Sequence, residues 1–246
     1  MPKAYTRNMD VRIGTAGWSI PRAVAAQFPA EGSHLARYSR VLNAAEINSS
    51  FHRSHSEATY RKWAEATPSS FRFAVKLPRT ITHEGALRRA RLPLERFLGE
   101  TAALGDKRGP LLVQLPPKFA FDPRVVSRFF ELLRSRVDTA VVCEPRHPTW
   151  FAPGAEALLA RWHVARVGAD PPTTPGGDRP GGWRALLYLR LHGSPRKYWS
   201  RYEEPALTSL TAEIAGFARE SAWCVFDNTA SGAAAENALA VASRLL

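Results

Sequence analysis

Cysteine is scarce in this chain of 246 residues: there are two, Cys143 and Cys224, each inside an apolar run. Two isolated cysteines exclude a disulfide framework and fit a reducing cytosol. No C-x-x-C pair and no His-rich ligand spacing occurs, so neither a metal fingerprint nor any other cofactor signature is evident. Long apolar runs are also missing. None approaches the ~18 residues that a membrane span requires. Residues 1–10 lack the apolar core of a signal peptide. The expectation is a cytoplasmic protein with no membrane partner. Acidic residues are the third shortage. Asp and Glu number 22 against 34 Lys and Arg, a formal net charge of +12. That excess favours anionic partners such as nucleic acid, phosphorylated metabolites or an acidic surface, although many of these charges serve as ordinary solvated surface. Nucleotide fingerprints are absent as well. Gly14-Thr15-Ala16-Gly17 has G-x-x-G spacing, which is neither a P-loop nor G-x-G-x-x-G. Glycines there permit a tight turn or a close approach.

What is present is a core. The composition is 45% hydrophobic, which excludes global disorder. Short apolar runs recur at Val11–Ile13, Asn43–Phe51, Phe71–Lys76, Leu111–Leu115, Val141–Glu144, Val164–Val167, Ala185–Leu191 and Trp223–Phe226. Between most of them lie stripes of helical period. Tyr60, Trp63 and Ala64 follow the N-cap candidate Ser56. Val125, Val126, Phe129, Phe130 and Leu133 follow Asp122-Pro123, a capping side chain and then proline at the first helical position. Ala233–Leu245 forms an alanine-rich last helix. Continuous apolar strands alternating with helices imply parallel pairing with both faces covered. Eight such runs predict an α/β chain folded as a (β/α)8 TIM-like barrel, a single domain over 1–246; an open doubly wound sheet meets the same pattern. Residues 171–182 hold four prolines and four glycines. They predict a flexible loop, and an incomplete helix between the sixth and seventh strands.

In parallel sheets and barrels, ligands bind at the carboxyl ends of the strands. Polar residues gather there. The second strand ends in Glu46 and Asn48, the third in Lys76 and the fourth in Gln114. The fifth ends in Glu144 and Arg146, the seventh in Arg190 and His192, and the eighth in Asp227 and Asn228. Polar groups thus end six of the eight strands. One reading is a shared site; the other is an internal salt-bridge network filling the top of the barrel. In the site reading Lys76, Arg146 and Arg190 hold an anion, since guanidinium groups capture phosphate or carboxylate bidentately. Glu144 and His192 are the acid/base candidates. Asn48, Gln114 and Asn228 orient the substrate, with Glu46 and Asp227 beside them. Trp18, Phe51, Phe119, Trp150, Tyr198, Trp199 and Tyr202 fall in or near loops after strands, where aromatics stack on bases or sugars or simply pack. Trp18 and Tyr198 join the substrate-binding set. A divalent metal on Glu46, Glu144, His192 and Asp227 is chemically reasonable but lacks local ligand spacing. His83 and His147 lie in loops and read equally well as surface residues.

These stretches resemble the YecE-like family. The resemblance rests on Gly14–Ser19, Glu46–Phe51, Phe71–Lys76 with Thr82-His83-Glu84, and Gln114–Pro117. It continues through Glu144–His147 to Trp150, Tyr188–Gly193, and Asp227–Thr229 with Gly232 and Asn237. It implies a TIM-like barrel and no established activity; its likeness to endonuclease IV-like and sugar-isomerase-like barrels is one of fold. The chain departs from the family pattern after Phe51, where His52-Arg53-Ser54-His55 replaces a tyrosine and a nearby proline, and at Ile20–Phe28. The resulting expectation is an enzyme acting on a small phosphorylated or otherwise anionic substrate, by hydrolase or lyase chemistry. The alternatives are a nucleic-acid-binding protein without catalysis and a sugar- or metabolite-binding barrel.

Overall fold

The computed structural model describes residues 9–217 and 221–246. Its strand segments are β1 (Asp10–Ala16), β2 (Ala44–Ile47), β3 (Arg72–Lys76), β4 (Arg108–Gln114), β5 (Val141–Glu144), β6 (Val164–Arg166), β7 (Gly168–Asp170), β8 (Gly181–Gly182), β9 (Leu186–Leu191) and β10 (Ser221–Phe226). All belong to one sheet, in the order β7-β9-β10-β1-β2-β3-β4-β5-β6-β8, and every pairing but β6–β8 is parallel. Only Val167 separates β6 from β7. The run 164–170 pairs with β5 through its first half and with β9 through its second. That shared run closes the sheet into a barrel, as the alternation of runs predicts, and leaves no open doubly wound sheet.

The outer layer comes from α1 (His34–Tyr38), α2 (Glu57–Glu65), α3 (Arg91–Ala102), α4 (Pro123–Arg134), α5 (Pro153–Arg161), α6 (Glu204–Gly216) and α7 (Ala233–Leu245). Two helix starts follow their sequence signals. Ser56 Oγ accepts from the Thr59 amide, and Asp122 Oδ1 accepts from the Arg124 and Val125 amides ahead of Pro123. Each such cap is worth about 1 kcal/mol. The five apolar residues of the α4 stripe are all buried against the barrel. Between β7 and β9 no α-helix is found among the described residues. The Pro/Gly-rich segment lies there instead and places Gly181–Gly182 antiparallel to β6. It is tied to the barrel where Thr174 Oγ1 donates to the Arg146 carbonyl and Arg166 Nη1 to the Arg179 carbonyl.

Strand alternation divides the apolar residues between two cores. Ile13, Ala45, Phe73, Val75, Leu111, Val113, Cys143, Leu189 and Phe226 face the helices. Ala44, Ala74, Leu112, Val142, Ala165, Val167, Tyr188, Trp223 and Val225 fill the barrel interior, where the Tyr188 and Trp223 rings stack at 6.0 Å. Gly14 lets β1 and β2 approach: a Cβ there would lie 1.9 Å from the Ala44 carbonyl oxygen. Both cysteines are buried and unpaired, and burial pushes their thiols up. No described helix is long and apolar enough to cross a membrane.

Candidate functional site

The inward phase of each strand continues past the apolar interior into polar residues at the C-terminal mouth. Ala44 leads to Glu46, Ala74 to Lys76, Leu112 to Gln114, Val142 to Glu144, Tyr188 to Arg190, and Val225 to Asp227. Two layers result.

The lower layer is an ion network centred on Arg190, which is fully buried. Arg190 Nε and Nη2 donate to Glu46 at 3.1 and 2.7 Å, Nη1 donates to Glu144 at 2.6 Å, and Nη2 also reaches Asp227 at 3.0 Å. Tyr188 Oη donates to Glu46 at 2.8 Å from the layer beneath. Glu144 also accepts from Gln114 Nε2 at 3.1 Å and from Arg146 Nε at 2.9 Å. Burial opposes ionisation of Glu144, but Arg190, Arg146 and His192 outweigh it and hold the carboxyl well below its usual range. Asp227 follows the same logic: burial raises it, and Arg190, His192 and Lys76 bring it below the ordinary aspartate value. His192 is buried, with Nδ1 3.0 Å from Asp227 Oδ2; its Nε2 lies 3.8 Å from Glu144 and has no hydrogen-bond partner among the described residues.

The upper layer is an open cleft of about 550 Å³. Its walls include Asn48, Lys76, Gln114, Arg146, Tyr198 and Asp227 from the residues that strand ends point to, together with Ser49, Phe51, His52, Arg79 and His83. These last five come from two short turns and the residues flanking them, Ser49–Phe51 with the following His52 after β2 and Thr80–Glu84 with the preceding Arg79 after β3. Lys76 stands apart from the other cations. Its stem is buried, and Nζ lies 4.2 Å from the centre of the Phe51 ring. Burial works against its charge and Arg190 adds to the effect; Glu46, Glu144 and Asp227 offset only part, so the amine falls to about 8. Burial, then Lys76, Arg146 and Arg79, push His83 down to about 4, which makes it a neutral imidazole on the rim at pH 7. Its ring packs edge-on against Phe51 at 4.9 Å.

The strand-end residues are therefore split between the layers. Glu46, Glu144, Arg190 and His192 lie beneath the cleft rather than on its wall, and Arg190 spends its guanidinium on three carboxylates. The three acids that could ligate a metal already surround that cation. Among the described residues no group of three or more His, Cys, Asp or Glu is spaced to hold a metal ion. Asn228 leaves the inward phase: it follows Phe226 outward, and its Nδ2 donates to the Ser200 carbonyl and to Asn237 Oδ1 of α7. Asp227 is the inward residue of that strand end. Trp18 also lies off the cleft wall, packed edge-on against Trp63 at 5.1 Å and Phe73 at 6.1 Å. Trp150 is buried against Phe119 and Phe121, and Trp199 is exposed outside the cleft. Tyr198 reaches the mouth in the left-handed region (φ 64°), with its ring edge-on to His192 at 5.4 Å.

Comparison with known proteins places this architecture. The family described as "Protein of unknown function DUF72" matches residues 12–246, nearly the whole chain. The chain belongs to the DUF72 family. UPF0759 protein YecE of Escherichia coli K12 is 32% identical over 149 residues, which is 59% of this chain. That match spans about half of the relative's length, 52%. Two solved DUF72 structures share the fold. One, from Enterococcus faecalis V583, has a TM-score of 0.80 at 20% identity and covers 96% of this chain and 95% of that one. The other, from Thermotoga maritima MSB8, has a TM-score of 0.79 at 23% identity, with 95% and 98% covered. The resemblance seen in the strand-end motifs is thus one of family as well as of fold.

Proposed function

We propose that this DUF72 chain is an enzyme that binds a small phosphorylated or otherwise anionic substrate in the mouth cleft and acts on it by acid/base chemistry. One observation carries the reading: three cations, Lys76, Arg79 and Arg146, line a cleft whose wall, among the described residues, includes a single carboxylate, Asp227. Arg146 donates Nε to Glu144 and holds Nη2 beside it at ion-pair distance, which leaves Nη1 for a ligand; Arg79 is half exposed and, among the described residues, pairs only with Glu84. Guanidinium groups suit phosphate and carboxylate oxygens. Asn48 and Gln114 supply amides to orient the ligand. Asp227, backed by His192 at 3.0 Å, is the carboxylate within reach of a substrate proton. Glu144 supports the reaction from below by fixing Arg146, Gln114 and Arg190. Hydrolase or lyase chemistry on a phosphate ester is the finer form of this reading.

The test is binding of inorganic phosphate at low salt, followed by calorimetry, to the wild type and to Arg146→Gln. The variant should bind at least tenfold more weakly. A screen of phosphate esters and phosphorylated sugars should then give turnover that Asp227→Asn removes. Absence of phosphate, carboxylate or phosphate-ester binding at low salt sinks the proposal. The rival reading, nucleic-acid binding without catalysis, draws on the net charge of +12. It requires affinity for single- or double-stranded nucleic acid that falls steeply with salt. Binding of a neutral sugar, unaffected by Arg146→Gln, would favour the metabolite-binding barrel.

A further inference from the structure

Every arginine around the mouth has a carboxylate partner. Arg190 has three, Arg146 has Glu144, and Arg79 has Glu84. Lys76 has no ion pair among the described residues, and its amine lies at the open cleft over the face of Phe51. The side chain is largely buried, and its backbone is anchored where the Lys76 carbonyl accepts from Ser50 Oγ at 2.7 Å, a bond that also joins the ends of β2 and β3. A buried stem, an amine without an ion pair among the described residues and an open cleft ahead of it form an arrangement different from that of Lys107 and Lys197. Lys107 is clamped by the Ala64 and Thr67 carbonyls, and Lys197 donates to Thr173 Oγ1. A lysine charge that is partly desolvated and set beside other cations is one that readily gives up its proton.

We propose that Lys76 is a nucleophilic amine that condenses with a small aldehyde or ketone carrying a carboxylate or phosphate, and forms a Schiff base at the barrel mouth. The proposal rests on the anion-binding reading of the cleft, in which Arg146 and Arg79 take the anionic group and present the carbonyl to Nζ. The lone pair of the neutral amine attacks the carbonyl carbon, and the C=O π pair moves to oxygen. A proton passes from nitrogen to that oxygen through cleft water, which gives the carbinolamine. A second proton then makes the hydroxyl leave as water, and the nitrogen lone pair forms C=N. No electrons are gained or lost, and one water is released. With the amine held at about 8, roughly a tenth of it is neutral near pH 7 without any further base.

Trapping tests the proposal directly. The protein is incubated with pyruvate or glyoxylate and sodium cyanoborohydride, whose hydride reduces the iminium to a stable secondary amine, and is then mapped by peptide mass spectrometry. The expected result is one adduct on the peptide that carries Lys76, formed at least tenfold faster than at the surface residues Lys62 and Lys118. Inorganic phosphate should slow it, and acetone, which lacks the anion, should trap poorly. Lys76→Arg keeps the charge but cannot form the imine, so it should give no adduct at this position and melt like the wild type. An unlabelled Lys76 in folded protein, with label spread over Lys62 and Lys118, overturns the proposal. Equal trapping of acetone overturns its anionic part. If phosphate still binds while Lys76 stays unlabelled, only the nucleophile is lost; if phosphate binding is absent, the reading beneath it falls too.

Discussion

Arg190 and Lys76 are both cations at the ends of barrel strands, and both belong to the same inward phase. Arg190 lies in a shell of Glu46, Glu144 and Asp227 with no solvent contact, and Lys76 opens on the cleft above without a carboxylate partner among the described residues. A planar guanidinium spreads five donors over three nitrogens, so Arg190 can hold Glu46 through two nitrogens while also reaching Glu144 and Asp227; an ammonium has only three donors on one atom. The floor of the mouth is therefore a closed network whose groups answer one another. The rim keeps spare donors facing the cleft. A buried charge that is fully paired reports on how the barrel end is built, and a partly buried charge without a partner reports on what the barrel end can bind.

The sharpest way to break this contrast is Arg190→Met. It leaves three buried carboxylates facing one another with no central cation. Removing one partner of a buried pair costs about 3–5 kcal/mol, and the loss here should lie at or above that range. Urea denaturation should show it, or the variant should fail to accumulate as folded protein. A variant that unfolds at the wild-type midpoint would dissolve the distinction between floor and rim. Glu144→Gln comes next. The amide keeps the shape but gives up the charge that Arg190 and Arg146 share, so it should cost about 2–3 kcal/mol. It should also weaken phosphate binding, because Arg146 loses the carboxylate that aims it.

The division between floor and rim was only half legible in the sequence. Period two in each strand identified Glu46, Lys76, Gln114, Glu144 and Arg190 as inward, because their neighbours two residues back are small or apolar. Counting on from Trp223 and Val225 leads to Asp227, whereas Asn228 shares the strand end but the opposite phase and turns to α7. Depth was not legible. Nothing local distinguishes a strand-end Arg190 beneath three acids from one open to ligand, since those acids come from three other strands. Arg79, His52 and His83 escaped the strand-end rule because they sit on the turns one step beyond. Their position directly after β2 and β3 is a signal that the strand-end rule does not read, and for His83 the Thr82-His83-Glu84 resemblance is a second one. Trp18 read as a loop aromatic, and its partners Trp63 and Phe73 are distant in sequence.

Acid sharpens the comparison further. Glu144 and Asp227 have folded-state values below their unfolded ones. The stability they contribute is present above the ordinary carboxylate range, near pH ~4, and is lost as pH falls through the depressed folded values. Wild-type protein should hold its urea midpoint from pH 7 to about pH 5 and then lose it steeply. In Glu144→Gln the acid limb should be shallower, since one of the linked carboxylates is gone. An unchanged acid limb in that variant would mean that the network's charges do not set the stability of the mouth.

The smallest expected effect is at Lys76. Its folded value, about 8, lies below the ordinary lysine value. The folded state therefore holds this proton less firmly than the unfolded chain does. As pH falls from ~10 to about 8 the unfolded chain takes up the proton first and stability declines, so at neutral pH the charge opposes the fold. Lys76→Met keeps the buried stem and removes the opposing charge, and should leave stability at pH 7 unchanged or raise it modestly. The same substitution should abolish reductive trapping of pyruvate, and should weaken phosphate binding by less than Arg146→Gln does. A loss as large as that of Arg190→Met would place Lys76 in the floor network and erase the rim as a separate functional layer.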